Sequence, residues 1–463
     1  MDLNSRIDAL KEELISSTQE VLRIKSVEGE PKEGMPFGEG PAAALKCALD
    51  IAKRLGFQTK NLDNYVGYAE YGDGEEYVAV LGHMDVVPEG DGWKYPPYGA
   101  EIHDGKIYAR GTLDDKGPIM AALFGLKAIM DENPPISQKI RIIFGTNEES
   151  GSKELKYYLD REKPPIAGFT PDAMYPIING EKGITIFNLV KTFETQQQGS
   201  IIINYIKGGH RANMVPDYCE AGIKSELNSS VIFAAEEFAE RTGYDIKAEE
   251  IGDTVLIKSI GMSAHGSTPE KGKNAIMQLF AFLGELNLES SDMTDFINFF
   301  NRYVGMETDG ESFGVDLEDE VSGKLSFNLG VVDITEDKGI ITLNLRYPVT
   351  RTYDEMIDAV ITRLEGTGIE VENMTHQGPL YFSPDHPLIK TLQKVYTEQT
   401  GAQAELISIG GGTYAKEMPN IVAFGPIFPG KPDLDHQPNE NIEVEDLILN
   451  AKIYAHAIYE LAK

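Results

Sequence analysis

YVAVLGHMDVVP, residues 77–88, decides how the chain is read. Val78, Ala79, Val80 and Leu81 form an apolar run of the kind that makes a buried strand, and it breaks into Gly82, His83, Met84 and Asp85 before Pro88. Side chains two apart on a strand point the same way. His83 and Asp85 are therefore expected to leave the strand's carboxyl end on one face, one as a possible ligand and one as its neighbour. A buried α/β sheet gathers its chemistry at those ends. Taken alone, the stretch is as well explained by a hydrogen-bonded His and a turn Asp.

The same pattern recurs on either side. A short strand at 106–109 leads into GTLDDKGP (111–118), a buried strand at 139–144 runs into GTNEESG (145–151), and 166–169 leads to Thr170, Pro171, Asp172 and Ala173. Four apolar segments thus end in carboxylates or an imidazole. Strands at 65–71 and 77–81 and helices at about 4–24, 41–55 and 119–130 complete the region. Alternation of strands and helices predicts an α/β domain with a mostly parallel sheet.

Near Gly183 the pattern changes to longer alternating strands at 200–206, 254–259, 324–331 and 339–347, with helices at 229–242, 274–286 and 353–365. Two βαβ-like halves with a hairpin predict an inserted α+β, ferredoxin-like domain at 183–380, in which the Phe-rich acidic segment 292–318 is an insertion. The first pattern resumes at about Tyr381: a helix at 387–400, the loop Gly410 to Tyr414, a strand at 421–425, a loop with His436, and a helix at 442–461. The sheet domain is expected to be discontinuous, 1–182 with 381–463.

A chain of 463 residues is long enough for two or three sizeable cores. Its 41% hydrophobic and 25% charged content is that of an ordinary globular protein. A net charge of −32 argues against nucleic acid and anionic membrane surfaces as partners. The cysteines, Cys47 and Cys219, are far apart, so a disulfide scaffold is not expected. No apolar run approaches membrane-spanning length, and MDLNSRIDALKEELI lacks the apolar core of a secretion signal. The expected location is cytoplasmic.

His83, Asp114, Glu149, Asp172 and His436 are five nitrogen or oxygen donors in strand-adjacent loops. Two imidazoles and three carboxylates could hold two divalent ions, with one carboxylate bridging, to activate water and polarise a carbonyl. Neither cysteine is near, so a structural zinc site is not expected. Glu148 would be left to act as general base. A lone Glu-Glu or Asp-Asp-Lys is ordinarily a solvated face; recurrence at four strand ends argues for more.

HMDVVP, GTLDDKGP, GTNEESG and TPDAMYPIINGEKG resemble motifs of the aminoacylase, carboxypeptidase G and acetylornithine deacetylase family of dimetal hydrolases. IGGGTYA and the segment Arg346, Tyr347, Pro348 bring the likeness closest to the dipeptidase V type, over essentially the whole chain. The resemblance implies that His83 binds one metal and His436 the other, that Asp114 bridges, and that Glu149 and Asp172 complete the two sets. It implies that Asp85 orients His83 and that Glu148 shuttles a proton from water to the leaving amine. It gives the inserted domain a substrate-binding role: Asn213 and Arg346, the latter for a carboxylate, and His265 to steady an oxyanion. Gly411 and Thr413 are implied substrate contacts. It implies a cis Asp114–Asp115 peptide. It also implies zinc or manganese as the metal and a small peptide as substrate. One departure is Asp435 before His436, where relatives carry another residue.

The inserted segment, about 200 residues, is too long for one four-stranded α+β unit. The likeness therefore implies a lid that carries its own substitute for a partner subunit, closes over the substrate, and lets the protein work as a monomer. The function expected is a metal-dependent dipeptidase. The competing readings are an N-acyl-amino-acid deacylase or desuccinylase on the same scaffold, and a non-catalytic acidic binding protein. His103, His210, His376, His386, His456 and Trp93 are expected to be ordinary packing or surface residues.

Overall fold

The computed structural model describes residues 2–463. The chain folds as two compact units. The first runs through Asn179 and takes up the chain again at Phe382–Ile407 and Gly412–Lys463; the second is Gly180–Tyr381 with Ser408–Gly411.

In the first unit, Tyr77–His83 is a strand with every residue buried. It is flanked in parallel by Lys139–Gly145, with Val80 opposite Ile142, and by Ala167–Thr170, with Ala79 opposite Gly168. Ile421–Ala423 continues in parallel beyond Ala167–Thr170. Strands buried on both faces read as continuous apolar runs, which is why this centre was visible in the sequence. The parallel order stops there. Val66–Tyr71 and Gln58–Leu62 extend one side in antiparallel fashion, and Ile177–Glu181 the other. Helices Leu3–Leu22, Lys116–Glu132 and Val444–Ala462 pack on one another, and Glu39–Arg54 covers the antiparallel flank. The four parallel strands point one way, so the loops after His83, Gly145 and Thr170 leave from a single edge.

The segment before Asp114 departs from expectation. Lys106–Tyr108 is not in the main sheet. It forms a small separate sheet with Glu101–His103 and with Asn441–Glu443, Asn441 opposite Tyr108. Asp114 therefore precedes helix Lys116–Glu132, and the pairing brings the His436 loop to the Asp114 loop.

The second unit is built on one eight-stranded antiparallel sheet in the order Asp245–Ile251, Thr254–Ile260, Tyr218–Ser225, Ile201–Gly208, Ser326–Ile334, Lys338–Tyr347, Gly183–Thr192, Glu370–Gln377. The expected α+β unit is thus a single wide sheet. Segment 292–318, expected as an insertion, contributes to the core: Ser291 caps helix Asp292–Tyr303, and Met293, Phe296, Ile297 and Phe300 are buried there.

The boundaries also move. Ser408–Gly411, expected with the sheet domain, belongs to the second unit. Lys182 N–H donates to the Ile409 carbonyl (2.9 Å), Ser408 Oγ to the Gly180 carbonyl (3.3 Å), and Arg346 to the Gly410 carbonyl. Among the described residues no helix is long and apolar enough to cross a membrane.

Candidate metal centre

His83 is the last residue of its strand and is fully buried. Its Nδ1 lies 2.9 Å from the backbone carbonyl of Asp85 and 3.5 Å from Asp85 Oδ1. A carbonyl only accepts, so Nδ1 carries a proton, and Nε2 is the nitrogen that can offer a lone pair to an ion once its own proton is given up. Nε2 faces carboxylate: it is 2.8 Å from Asp114 Oδ1 and 3.8 Å from Asp172 Oδ2. Among the described residues Nε2 has no hydrogen-bond partner of acceptable geometry. A buried ring nitrogen set among carboxylate oxygens fits a cation held between them.

Asp85 does more than the expected orienting of the imidazole, and its backbone carbonyl lies nearer His83 than its carboxylate does. The carboxylate accepts the backbone N–H of Glu148 (3.3 Å) and of Glu149 (3.1 Å), which fixes the turn that opens at the end of Lys139–Gly145. Behind the strand end, Asp115 Oδ2 accepts the His83 N–H at 3.2 Å. A Cβ at residue 82 would meet that oxygen at 2.1 Å, so this approach requires Gly82. The Asp114–Asp115 peptide is cis.

Asp114 lies between the two imidazoles. Its Oδ2 is 2.9 Å from His436 Nε2, opposite the oxygen that faces His83. Glu149 Oε2 reaches the same His436 nitrogen at 3.2 Å. Two sets of groups able to hold an ion overlap here, His83 with Asp114 and Glu149, and His83 with Glu148 and Asp172, the atoms of each within 4.8 Å of one another. On geometry alone Glu148 could therefore also be a ligand. His436 adopts a left-handed backbone (φ 61°), and its side chain is about half exposed, the only one of the five donors so open.

The electrostatics express the crowding of carboxylates. Burial, then Asp172, raises Glu148 well above the usual carboxyl range. Burial, then Asp114, raises Glu149 to about 7 and raises Asp172 as well. His436 is raised to about 11 by its hydrogen bonds to Asp114 and Glu149. For His83 burial works the other way, but Asp114, Asp172 and Asp85 together raise it well above normal. Carboxylates crowded this closely in a buried place favour a positive charge among them, which protons supply here and a metal ion could supply instead.

Three supports were not read from the sequence. Glu440 is fully buried and pairs with Arg110 at 2.7 Å. Its carboxylate also accepts the backbone N–H groups of Gly111 (3.0 Å), Leu113 (2.8 Å) and Asp114 (3.4 Å). It thus ties the His436 loop to the Asp114 loop. Tyr414 sets its ring edge-on to His83, centroids 6.0 Å apart, and its hydroxyl donates to the buried Glu154. Lys116 is buried, donates to the Ile24 carbonyl at 2.7 Å, and is lowered by burial to about 7.

The remaining predicted site residues are divided between the units. Thr413 is in the first, where its hydroxyl caps the short turn Tyr414–Lys416. Asn213, His265, Arg346 and Gly411 are in the second. There, Asn213 and His265 lie on neighbouring segments, joined by the bridge between Met214 and His265 and by Gly266 N–H to the Asn213 carbonyl (2.7 Å). Arg346 is buried, with Nε on Asn344 Oδ1 (3.2 Å) and Nη1 on the Gly410 carbonyl, and burial lowers it to about 10. Of the histidines expected to be ordinary, His103 pairs with Glu101, His376 with Tyr347, His386 caps a helix, and His456 meets Asn4. Trp93 donates to the Glu89 carbonyl and lies against Arg110.

Residues 79–460 match the profile of Peptidase family M20/M25/M40. The chain is 42% identical to the Bacillus subtilis protein named "Putative dipeptidase YtjP" over 457 residues, 98% of each chain. It is 37% identical to a Staphylococcus aureus protein of the same class name, again over 98% of each. Human carnosine dipeptidase 1 shares the fold, with a TM-score of 0.60 at 17% identity over 99% of this chain and 98% of that one. So does the yeast dipeptidase Dug1p from Saccharomyces cerevisiae, with a TM-score of 0.59 at 14% identity over the same shares. The matched span takes in all the clustered groups, from His83 to His436, and the sequence relatives match end to end: the chain is a metallopeptidase of Peptidase family M20/M25/M40.

Proposed function

We propose that the chain is a dipeptidase working with two divalent cations, centred on the cluster in its first unit. The observation that carries this reading is Asp114, whose two oxygens turn to two different imidazoles, His83 and His436. A carboxylate shared by two ions needs that arrangement. His83, Asp114 and Asp172 would hold one ion, and His436, Asp114 and Glu149 the other. Zinc and manganese both suit such a nitrogen and oxygen set. Ions bound there polarise a peptide carbonyl and ease the ionisation of water.

The chain's own groups supply the rest. Asp85 keeps the His83 Nε2 turned into the site and holds the Glu148–Glu149 turn. Glu148 takes the proton of the attacking water and returns it to the leaving amine; that it is a base and not a third ligand rests on the family resemblance. Asn213 and His265 stabilise the negative charge that develops on the carbonyl oxygen. Arg346 receives the substrate carboxylate: a buried guanidinium whose hydrogen bonds go to an amide and a carbonyl retains its charge for a planar anion. Gly411 and Thr413 contact the substrate. The names of the sequence relatives support a dipeptide as that substrate. Two unpaired cysteines support a reducing cytosol, and the enlarged second unit supports activity as a monomer.

The test is a substrate panel. Protein stripped with a chelator and reloaded with zinc, manganese or cobalt is assayed on dipeptides and on N-acyl amino acids. Dipeptide cleavage that disappears on stripping and returns on reloading is expected. Cleavage of N-acyl amino acids alone would make the protein a deacylase, and turnover of neither would make it a binding protein.

A further inference from the structure

In the second unit, the segment that carries Asn213 is seated on the large sheet by one side chain. On one side, residues 212–215 run beside 264–266, with Gly266 N–H on the Asn213 carbonyl (2.7 Å) and Val215 N–H on the Ala264 carbonyl (2.9 Å). On the other side, the carbonyls of Ala212, in the turn closed by Met214 N–H on the Arg211 carbonyl (3.2 Å), and of Met214 both face strand Ser326–Ile334. Both accept from Asn328 Nδ2, at 2.8 and 2.9 Å. Asn328 belongs to strand Ser326–Ile334 and is buried. Two residues before it, Ser326 Oγ donates to the Ser267 carbonyl (2.9 Å). Two residues after it, a Cβ at Gly330 would meet the Ala212 carbonyl oxygen at 2.5 Å. A hydroxyl, an amide and a missing side chain on one strand thus form a seat for the two segments that carry Asn213 and His265.

We propose that Asn328 is a positioning residue for the reaction: its two amide hydrogens hold the carbonyls of Ala212 and Met214 and so fix the backbone on both sides of Asn213. The inference rests on the reading that Asn213 acts on the substrate. Only the NH2 end of an amide can face two acceptors. Among the described residues Asn328 Oδ1 has no hydrogen-bond partner, so the amide serves here through its donors. Aspartate offers none and sets a charge against two carbonyl oxygens; serine offers one; alanine leaves both carbonyls without their partner.

The experiment is a double-mutant cycle on the full chain, with kcat and KM on a dipeptide, metal content and melting temperature read for each protein. Asn328→Ala is expected to lower kcat by ~10²-fold, the scale of a misplacement of about 1 Å, with KM changed by less than about 3-fold and metal content intact. In an Asn213→Ala background the same change is expected to lower kcat by less than about 3-fold, because the interaction it positions is already gone. Asn328→Ser, with one donor, falls between parent and Asn328→Ala, and carries the cycle if the alanine variant does not fold. Equal fold-losses in both backgrounds, or full kcat in Asn328→Ala beside a slow Asn213→Ala, would overturn the inference alone. Full kcat in Asn213→Ala would remove the reading beneath it and the inference with it.

Discussion

Glu148 and Glu149 are consecutive and Asp85 holds both of their N–H groups, yet their carboxylates face different neighbours. Glu149 reaches His436, while Glu148 groups with His83 and Asp172. Glu148→Gln is therefore expected to keep both ions and lose ~10²–10⁴-fold in kcat, the usual contribution of a proton carrier; Glu149→Gln is expected to lose an ion. Metal analysis beside kcat checks both, and an ion lost from Glu148→Gln would exchange the two roles. Glu154 gives a second expectation. Burial, then Asp85, raises its carboxyl to about 7 from 4.5. A raised folded value stabilises in acid, and the contribution is lost as pH rises through about 7. A tenfold difference in proton affinity between folded and unfolded chains is worth about 1.4 kcal/mol. Between pH 5 and 8 the parent should therefore lose about 2–3 kcal/mol more stability than Glu154→Gln, measured by urea unfolding at each pH. The gathering of His83, Asp114, Glu149 and Asp172 was legible because an imidazole and carboxylates recur after apolar runs. Glu154 and Glu440 were not, because they act by burial and by hydrogen bonds to distant partners, which leave no spacing in the sequence.

Helix Asp292–Tyr303 shows what a pattern-based reading lost among the elements. Its Phe and acidic content suggested an insertion, but Phe296 and Phe300 are wholly buried. Phe300→Ala is expected to destabilise the second unit by about 3–5 kcal/mol, measured by denaturant unfolding; a change below about 0.5 kcal/mol would return the segment to the surface. Strand Asp245–Ile251 also escaped notice, because an edge strand written DIKAEEI with most residues exposed has little apolar alternation to detect. The buried parallel strands, largely apolar, were found within a residue or two of their ends. The join between the Asp114 and His436 loops is a matter of elements too. Glu440→Ala would leave Arg110 buried without its carboxylate and free the amides of Gly111 and Leu113. A loss of about 3–5 kcal/mol is expected, with weaker metal binding, read by unfolding and by metal titration; unchanged metal affinity would show that the join does not shape the site.

For the whole molecule, the division into a sheet unit and an α+β unit followed from the change in strand character near Gly183. The return of Ser408–Gly411 to the second unit did not, since it depends on hydrogen bonds from Lys182, Ser408 and Arg346. If one chain carries every catalytic group, mixing Glu148→Ala with His265→Ala should restore no activity, and sedimentation should give a monomer; recovered activity would show that chains complete one another's sites. The central claim is that Asp114 is shared by two ions. Anomalous diffraction at the zinc edge from zinc-loaded crystals tests it most directly. Two peaks are expected, one beside His83 Nε2 and one beside His436 Nε2, each in contact with a different oxygen of Asp114. A single peak, or a second one away from Asp114, would contradict it.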